Sequence, residues 1–368
     1  MRYTLFLLIA AIGLLGASLF SAAQSTRSKP SSAQVEERIP VSQRIDQMVE
    51  AEMVKLGING ASLAIVRDNA VVYSRGYGLA DVKTKRAVTK ETLFEAASLS
   101  KVAFAYYALR EVDRGTIALD VPLARILPHP DIDDERAKRI TPRMVLTHRS
   151  GFPNWRWENE DDTLDIKEEP GTLFRYSGEG FEYLALALAH AHGTDKVGLE
   201  PLIRADLQDA LGCDVGPWTY SPSMQDRLAS GYVGDQQQAD WQIESPIVSA
   251  SLFTTADGYG CLLAAVVSGK GLETSTFDKM VSNQIELEPG HDFRVDFGLD
   301  AWGLGVAIKQ TELGEALSHG GVNEGFTAWF TVLSDQRAGY VILTNSQEAP
   351  KLNAAIEARL LALALEFE

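Results

Sequence analysis

The chain has 368 residues, 45% of them hydrophobic and 23% charged, an ordinary globular composition long enough for one large domain or two ordinary ones. Its 34 Lys and Arg against 50 Asp and Glu give a net charge of −16 with no basic cluster, so nucleic acid is excluded as a partner and an anionic membrane surface is a poor one. Two cysteines, Cys213 and Cys261, are too few for a disulfide scaffold or a Cys-rich metal site.

The N-terminus begins Met1-Arg2, continues through an apolar run from Leu5 to Phe20, and ends on Ser21-Ala22-Ala23. This pattern predicts a signal peptide over residues 1–23, with a secreted or periplasmic mature protein and no stable membrane partner after cleavage. A membrane-anchored protein is the alternative, but the run falls short of the roughly 20 apolar residues a spanning helix needs. Residues 24–40, rich in Ser, Pro and charge, read as a flexible linker, and residues 41–368 as the working domain.

Val41 to Leu56 carries a helical stripe of Ile45, Met48, Val49, Met53 and Val54, stopped by Gly57. Ser62–Arg67 and Val71–Tyr73 read as a hairpin turning at Asp68-Asn69. Ser98 to Val112 reads as a helix closed by Gly115. From about 115 to 260 the pattern is helices and loops broken by Pro and Gly. Gly260 to Ala265 reads as a buried helix, so a small buried thiol is the expectation for Cys261, with a bridge to Cys213 as the alternative. Strand-like runs return at Trp302–Lys309, Ala316–His319, Phe326–Ser334 and Gly339–Thr344, followed by a terminal helix, Leu352–Phe367. Strands at both ends with helices between them predict an α/β architecture: one sheet closed by both ends of the domain, with a helical region inserted into it.

The sharpest local signal is Ser98-Leu99-Ser100-Lys101. Positions i and i+3 share a helix face, so the Lys101 amine can reach the Ser98 hydroxyl. Alone, Ser98 could equally be an N-cap. Around this motif the sequence resembles the class C β-lactamase-like serine hydrolases, a family of penicillin-binding peptidases, D-aminopeptidases and esterases, over roughly residues 41–366. Gly76–Asp81, Leu146–Pro153, Pro170–Ser177, Ala250–Thr255 and His319-Gly320-Gly321 are similar to its blocks and stand in the same order. The resemblance implies a β-lactamase/transpeptidase-like fold, an antiparallel sheet flanked by helices with an inserted all-helical region. It implies Ser98 as nucleophile, Lys101 as its proton acceptor or relay, and Tyr176 as second general base and acid. His319, Gly320 and Gly321 would line the substrate strand, and the N–H groups of Ser98 and Val322 would receive the oxyanion.

Two departures stand out. The family's Tyr-x-Asn reads Tyr176-Ser177-Gly178, so its amide is missing, with Glu179 a candidate for part of that space. The family's third motif, often Lys-Thr-Gly and commonly His-x-Gly among its peptidases and esterases, reads His319-Gly320-Gly321, without the Lys or the Thr. Trp155 and Trp157 follow the Gly151-Phe152-Pro153 turn and are candidates for the cleft wall or for packing against the helical region. His190-Ala191-His192 would point its two imidazoles roughly 200° apart on a helix, and no Gly-x-Ser-x-Gly elbow occurs. No metal or organic cofactor is expected. The chemistry implied is acyl-enzyme hydrolysis of small-molecule esters, amides or short peptides, with β-lactamase activity and a non-catalytic penicillin-binding-like protein as alternatives.

Overall fold

The computed structural model describes residues 39–367, so the expected signal segment and all but the end of the expected linker lie outside the described residues. Helix α1 (Val41–Leu56) buries Ile45, Met48, Val49 and Met53. Val54, assigned to the same stripe, is 84% exposed, because nine residues place it about 180° around the helix from the buried Ile45. Strands β1 (Gly60–Arg67) and β2 (Ala70–Asp81) form the expected hairpin. Asp68 and Asn69 both take positive φ, the geometry of a tight hairpin turn.

After β3 (Arg86–Ala87) and β4 (Phe94–Glu95), a single 3₁₀ turn, Ala97–Leu99, leads into α2 (Ser100–Asp113). Helices α3 (Pro142–Leu146), α4 (Gly178–Ala191) and α5 (Lys196–Leu211) follow, α4 and α5 capped by the side chains of Ser177 and Asp195. A small hairpin, β5 (Tyr232–Val233) and β6 (Gln236–Gln237), precedes β7 (Phe253–Thr254). Then come α6 (Ala256–Ser268), α7 (Thr274–Val281), β8 (Ile285–Glu286) and α8 (Asp292–Phe297). The expected strand Trp302–Lys309 is two strands, β9 (Ala301–Trp302) and β10 (Ala307–Thr311). Between them Gly303 donates to Val306 O at 2.8 Å and Gly305 takes a φ of 85°, folding the run back on itself. The chain ends in β11 (Gly314–Asn323), β12 (Phe326–Leu333), β13 (Ala338–Thr344) and α9 (Pro350–Ala364).

The main sheet has nine strands in the order β3-β2-β1-β13-β12-β11-β10-β9-β8, every pairing antiparallel. The pairing of β1 with β13 joins the two ends of the domain, as the sequence pattern predicts. Because side chains alternate along a strand, each central strand feeds two cores. Leu63, Ile65, Tyr340 and Ile342 pack with α1 and α9 on one face, while Ala64, Val66, Val341 and Leu343 pack with α2 and α6 on the other.

Cys213 and Cys261 are bridged, their Cα atoms 6.6 Å apart. The buried-thiol expectation for Cys261 is therefore corrected. Cys261 is only half-buried on α6, and Gly212, in the left-handed conformation that ends α5, turns the chain so that Cys213 meets it.

Candidate active site

Ser98 sits in the 3₁₀ turn ahead of α2. The preceding Ala97 has a φ of 48°, a conformation that side chains disfavour. Ser100 holds this bend: its hydroxyl donates to Ala97 O at 2.5 Å and accepts from Leu252 N at 3.0 Å. The pairing of β4 with β7 and a hydrogen bond from Ala96 N to Leu252 O at 2.8 Å fix the segment before the serine. The outcome is a half-buried Ser98 at the floor of a cleft of about 280 Å³.

Lys101 lies one turn along, fully buried. Its Nζ donates to Ser98 Oγ at 3.2 Å and to Ser249 O at 2.9 Å. Burial lowers its pKa to about 7, with Glu182 opposing the shift. Glu182 in turn accepts from Ser249 N and Oγ at 3.1 and 2.8 Å and from Lys196 at 2.8 Å. Ser249 and Glu182 are thus part of the lysine's setting. The Ala250–Thr255 block stops one residue short of Ser249, and Glu182 reads from sequence as an ordinary polar position on α4.

Tyr176 comes to the same spot from the loop before α4, its ring centroid 4.7 Å from Lys101 Nζ. His148, at a φ of 53°, brackets it: the His148 carbonyl accepts from Arg175 N at 2.7 Å, and its Nδ1 accepts from Ser177 N at 3.1 Å. The imidazole lies 4.3 Å from the Tyr176 ring, and Trp302 and Phe293 lie against the tyrosine at 6.1 and 5.2 Å. Burial in this aromatic nest pushes the phenol well above its ordinary value, and the Ser98 hydroxyl draws it only partly back.

Opposite the serine runs β11. A Cβ on Gly321 would lie 2.7 Å from Ser98 N and 2.8 Å from Ala96 O, so only glycine lets this strand approach the serine so closely. Val322, next along, lines the cleft and is exposed. His319 also lines it, with its pKa lowered to about 3 by burial and by the nearby Lys101. Its Nδ1 lies 2.7 Å from Gly320 O; a carbonyl only accepts, so Nδ1 carries the proton and Nε2 is a bare acceptor. The imidazole therefore has no N–H left for substrate.

The missing amide beside Tyr176 is explained by Trp155. A Cβ on Gly178 would stand 2.9 Å from the Trp155 ring and 3.0 Å from Asn154 O. Trp155 occupies that space, 5.8 Å from Lys101 Nζ and stacked on Trp157 at 4.6 Å. Glu179, the candidate for that space, instead holds Arg156 through both carboxylate oxygens. Asn154 lines the cleft, and its Oδ1 accepts from Gly178 N at 2.9 Å. Sequence reasoning missed Asn154, Phe293, Phe297 and Trp329 as lining residues.

The family model described as Beta-lactamase matches residues 45–364. The chain belongs to that family. Among the curated relatives of this beta-lactamase-family chain, Esterase EstB of Burkholderia gladioli is 34% identical over 124 residues, covering 33% of this chain and 32% of that one. The protein flp of Staphylococcus aureus strain N315 is 26% identical over 162 residues, covering 40% and 32%. These matches span about a third of either relative's length. In fold, the chain is similar to a class C beta-lactamase (TM-score 0.74, 18% identity, covering 89% of this chain and 97% of that one). It is also similar to the octameric penicillin-binding protein homologue of Pyrococcus abyssi (TM-score 0.72, 20% identity, covering 87% and 77%). The β-lactamase/transpeptidase-like fold implied by the sequence is the fold observed.

Proposed function

We propose that the protein is an exported serine hydrolase that forms an acyl-enzyme on Ser98 and acts on esters or small amides. The observation that carries this reading is the buried, pKa-lowered Lys101 amine 3.2 Å from Ser98 Oγ, a poised base beside a hydroxyl. Ser98 Oγ attacks the substrate carbonyl carbon as its proton passes to Lys101 Nζ. The N–H groups of Ser98 and Val322 receive the oxyanion. Tyr176, kept protonated by its surroundings, gives its proton to the departing oxygen or nitrogen and takes one back from Lys101. Water then attacks the acyl-enzyme, and Ser98 recovers its proton by the reverse path. In this sequence the neutral amine is the base, and the phenol is a relay that never rests as phenolate.

Ester preference is supported by the likeness to Esterase EstB and by the loss of the Lys and Thr that would fix a β-lactam carboxylate. Export is supported by the N-terminal pattern and by the Cys213–Cys261 bridge, since disulfides persist in oxidising compartments. The test is fluorophosphonate labelling with turnover of p-nitrophenyl acetate, D-amino-acid amides, D-Ala-D-Ala peptides and a chromogenic cephalosporin. The expected adduct maps to Ser98 and is absent in Ser98→Ala, and the ester is turned over at least about tenfold better than the cephalosporin. Unchanged turnover in Ser98→Ala, or an adduct on another residue, would remove the mechanism.

A further inference from the structure

The cleft beside Ser98 is walled by Phe293, Phe297, Leu299, Trp302, Trp329 and Pro350, and among the described residues no Asp, Glu, Lys or Arg lines it. Its position relative to the proton donor is set by Phe293, whose ring lies 5.2 Å from that of Tyr176. From Phe293 the wall continues to Phe297 at 6.0 Å and from Phe297 to Trp329 at 5.3 Å. A departing group that takes its proton from Tyr176 therefore lies along these rings.

The same wall closes the place where a carboxylate would be held. In the β11–β12 pairing Gly320 is the direct partner of Trp329, and a Cβ on Gly320 would run into the Trp329 ring. The indole thus fills the space that the threonine of a Lys-Thr-Gly motif would take at this position. Trp302 Nε1, Trp329 Nε1 and His319 Nε2 are all buried, so at these residues the cleft meets ring carbon. The remaining His319 N–H is used on Gly320 O. A carboxylate placed against these three rings would lose its hydration and gain from them neither a cation nor a donor.

We infer that this wall is the leaving-group site of the hydrolase and that it selects esters of neutral, aromatic or bulky apolar alcohols, with Trp329 as the residue that excludes an anionic group. This rests on the proposed acyl-enzyme chemistry only for which side of the ester occupies the wall; the neutral, apolar selectivity follows from the lining alone.

The experiment compares ethyl acetate, benzyl acetate and 4-carboxybenzyl acetate, esters of one acid whose alcohols leave about equally well. Benzyl acetate is expected to exceed each of the other two in kcat/KM by at least about tenfold, the scale of burying one ring face. Trp329→Ala and, on the exposed rim, Phe297→Ala should each shrink the benzyl-to-ethyl ratio to below about threefold. Because Trp329 also packs in the core, Phe297→Ala keeps the test open if the first variant does not fold. Comparable rates on all three esters, or preference for the carboxylated one, overturn the inference. So does selectivity carried only by the acid, with ethyl phenylacetate favoured over ethyl acetate and the acetates indistinguishable. If no ester is turned over and Ser98 is not labelled, the hydrolase reading fails. Binding of benzyl alcohol against 4-carboxybenzyl alcohol, followed by tryptophan fluorescence, then decides the inference separately: tighter binding of the neutral alcohol supports it, and equal or reversed affinity removes it.

Discussion

Gly321 and Ser98 touch backbone to backbone: any side chain on Gly321 would press on the Ser98 nitrogen, 2.7 Å from where its Cβ would stand. Both proposed oxyanion donors depend on that contact, because Val322 is carried by the same strand and Ser98 is the other donor. Gly321→Ala must move β11 away from the Ala97–Leu99 turn. Losing one oxyanion donor costs on the order of 10²–10³ in kcat. The expected result is a loss of that size in turnover of p-nitrophenyl acetate with the secondary structure intact by circular dichroism. A variant that keeps more than about a third of the wild-type kcat would show that β11 takes no part in stabilising the oxyanion.

The pH dependence follows from Lys101. Burial favours its neutral form and brings the pKa to about 7, and only the neutral amine can accept the Ser98 proton. Falling pH protonates it, so kcat/KM should rise with pH through about 7 and level off above. His319, with a pKa lowered to about 3, and His148, lowered well below its ordinary value, stay neutral across that range. Glu95, raised to about 7 by burial and holding Asn323 Nδ2 at 2.7 Å, also titrates in that range. The profile should therefore keep its midpoint in Glu95→Gln and lose its rising limb in Lys101→Met. A midpoint that disappears with Glu95 would assign the limb to that carboxyl instead.

Tyr176 and Lys101 should behave as one unit. The phenol is pushed upward by burial and the amine downward, so neither completes a proton transfer without the other. Tyr176→Phe and Lys101→Met are each expected to lower kcat by on the order of 10²–10⁴, with the double variant little worse than the poorer single one. Additive losses in this double-mutant cycle would separate their roles.

What the sequence made legible was local or repetitive. Ser98 and Lys101 are found because a helical turn brings i and i+3 together, and the sheet because its central strands are short apolar runs, buried on both faces and bounded by turn residues. Relations that depend on where two distant segments cross were not legible. His148 brackets Tyr176 only because its backbone takes a left-handed bend, which a histidine does not announce. The Gly178–Trp155 exchange joins a missing side chain to an extra one 23 residues earlier, so each looks like an isolated oddity. The Gly320–Trp329 pair was within reach: the Glu324-Gly325 turn sets the β11–β12 register, and counting back from it places the two opposite each other.

The disulfide gives a stability prediction. Cys213 and Cys261 are separated by 48 residues and join the end of α5 to α6. Closing a loop of that length removes unfolded-state entropy worth up to about 4 kcal/mol. The paired Cys213→Ala and Cys261→Ala variant should lose about 2–4 kcal/mol in denaturant unfolding. Its acylation rate at 25 °C should hold, because neither cysteine lines the cleft. A loss of activity larger than the unfolded fraction explains would connect the bridge to the site.

The space beside Gly178 is already filled. A Cβ there would stand 2.9 Å from the Trp155 ring and 3.0 Å from Asn154 O, tighter than packed atoms tolerate. Gly178→Asn, which restores the family's amide, should therefore displace Trp155 and destabilise the fold by about 1–3 kcal/mol, the usual cost of overpacking. It should also disturb Asn154, whose Oδ1 is held by Gly178 N. Combining it with Trp155→Ala opens the room the asparagine needs. The double variant should be more stable than the sum of the two single changes by at least about 1 kcal/mol, since residues in contact are coupled. It should also recover turnover relative to Gly178→Asn alone, because the new amide would stand beside Lys101 where the indole edge had been. Denaturant unfolding of the four proteins gives the coupling directly. A coupling within about 0.3 kcal/mol of zero would mean that Trp155 does not occupy the asparagine's place, and the compensation argued here would fall.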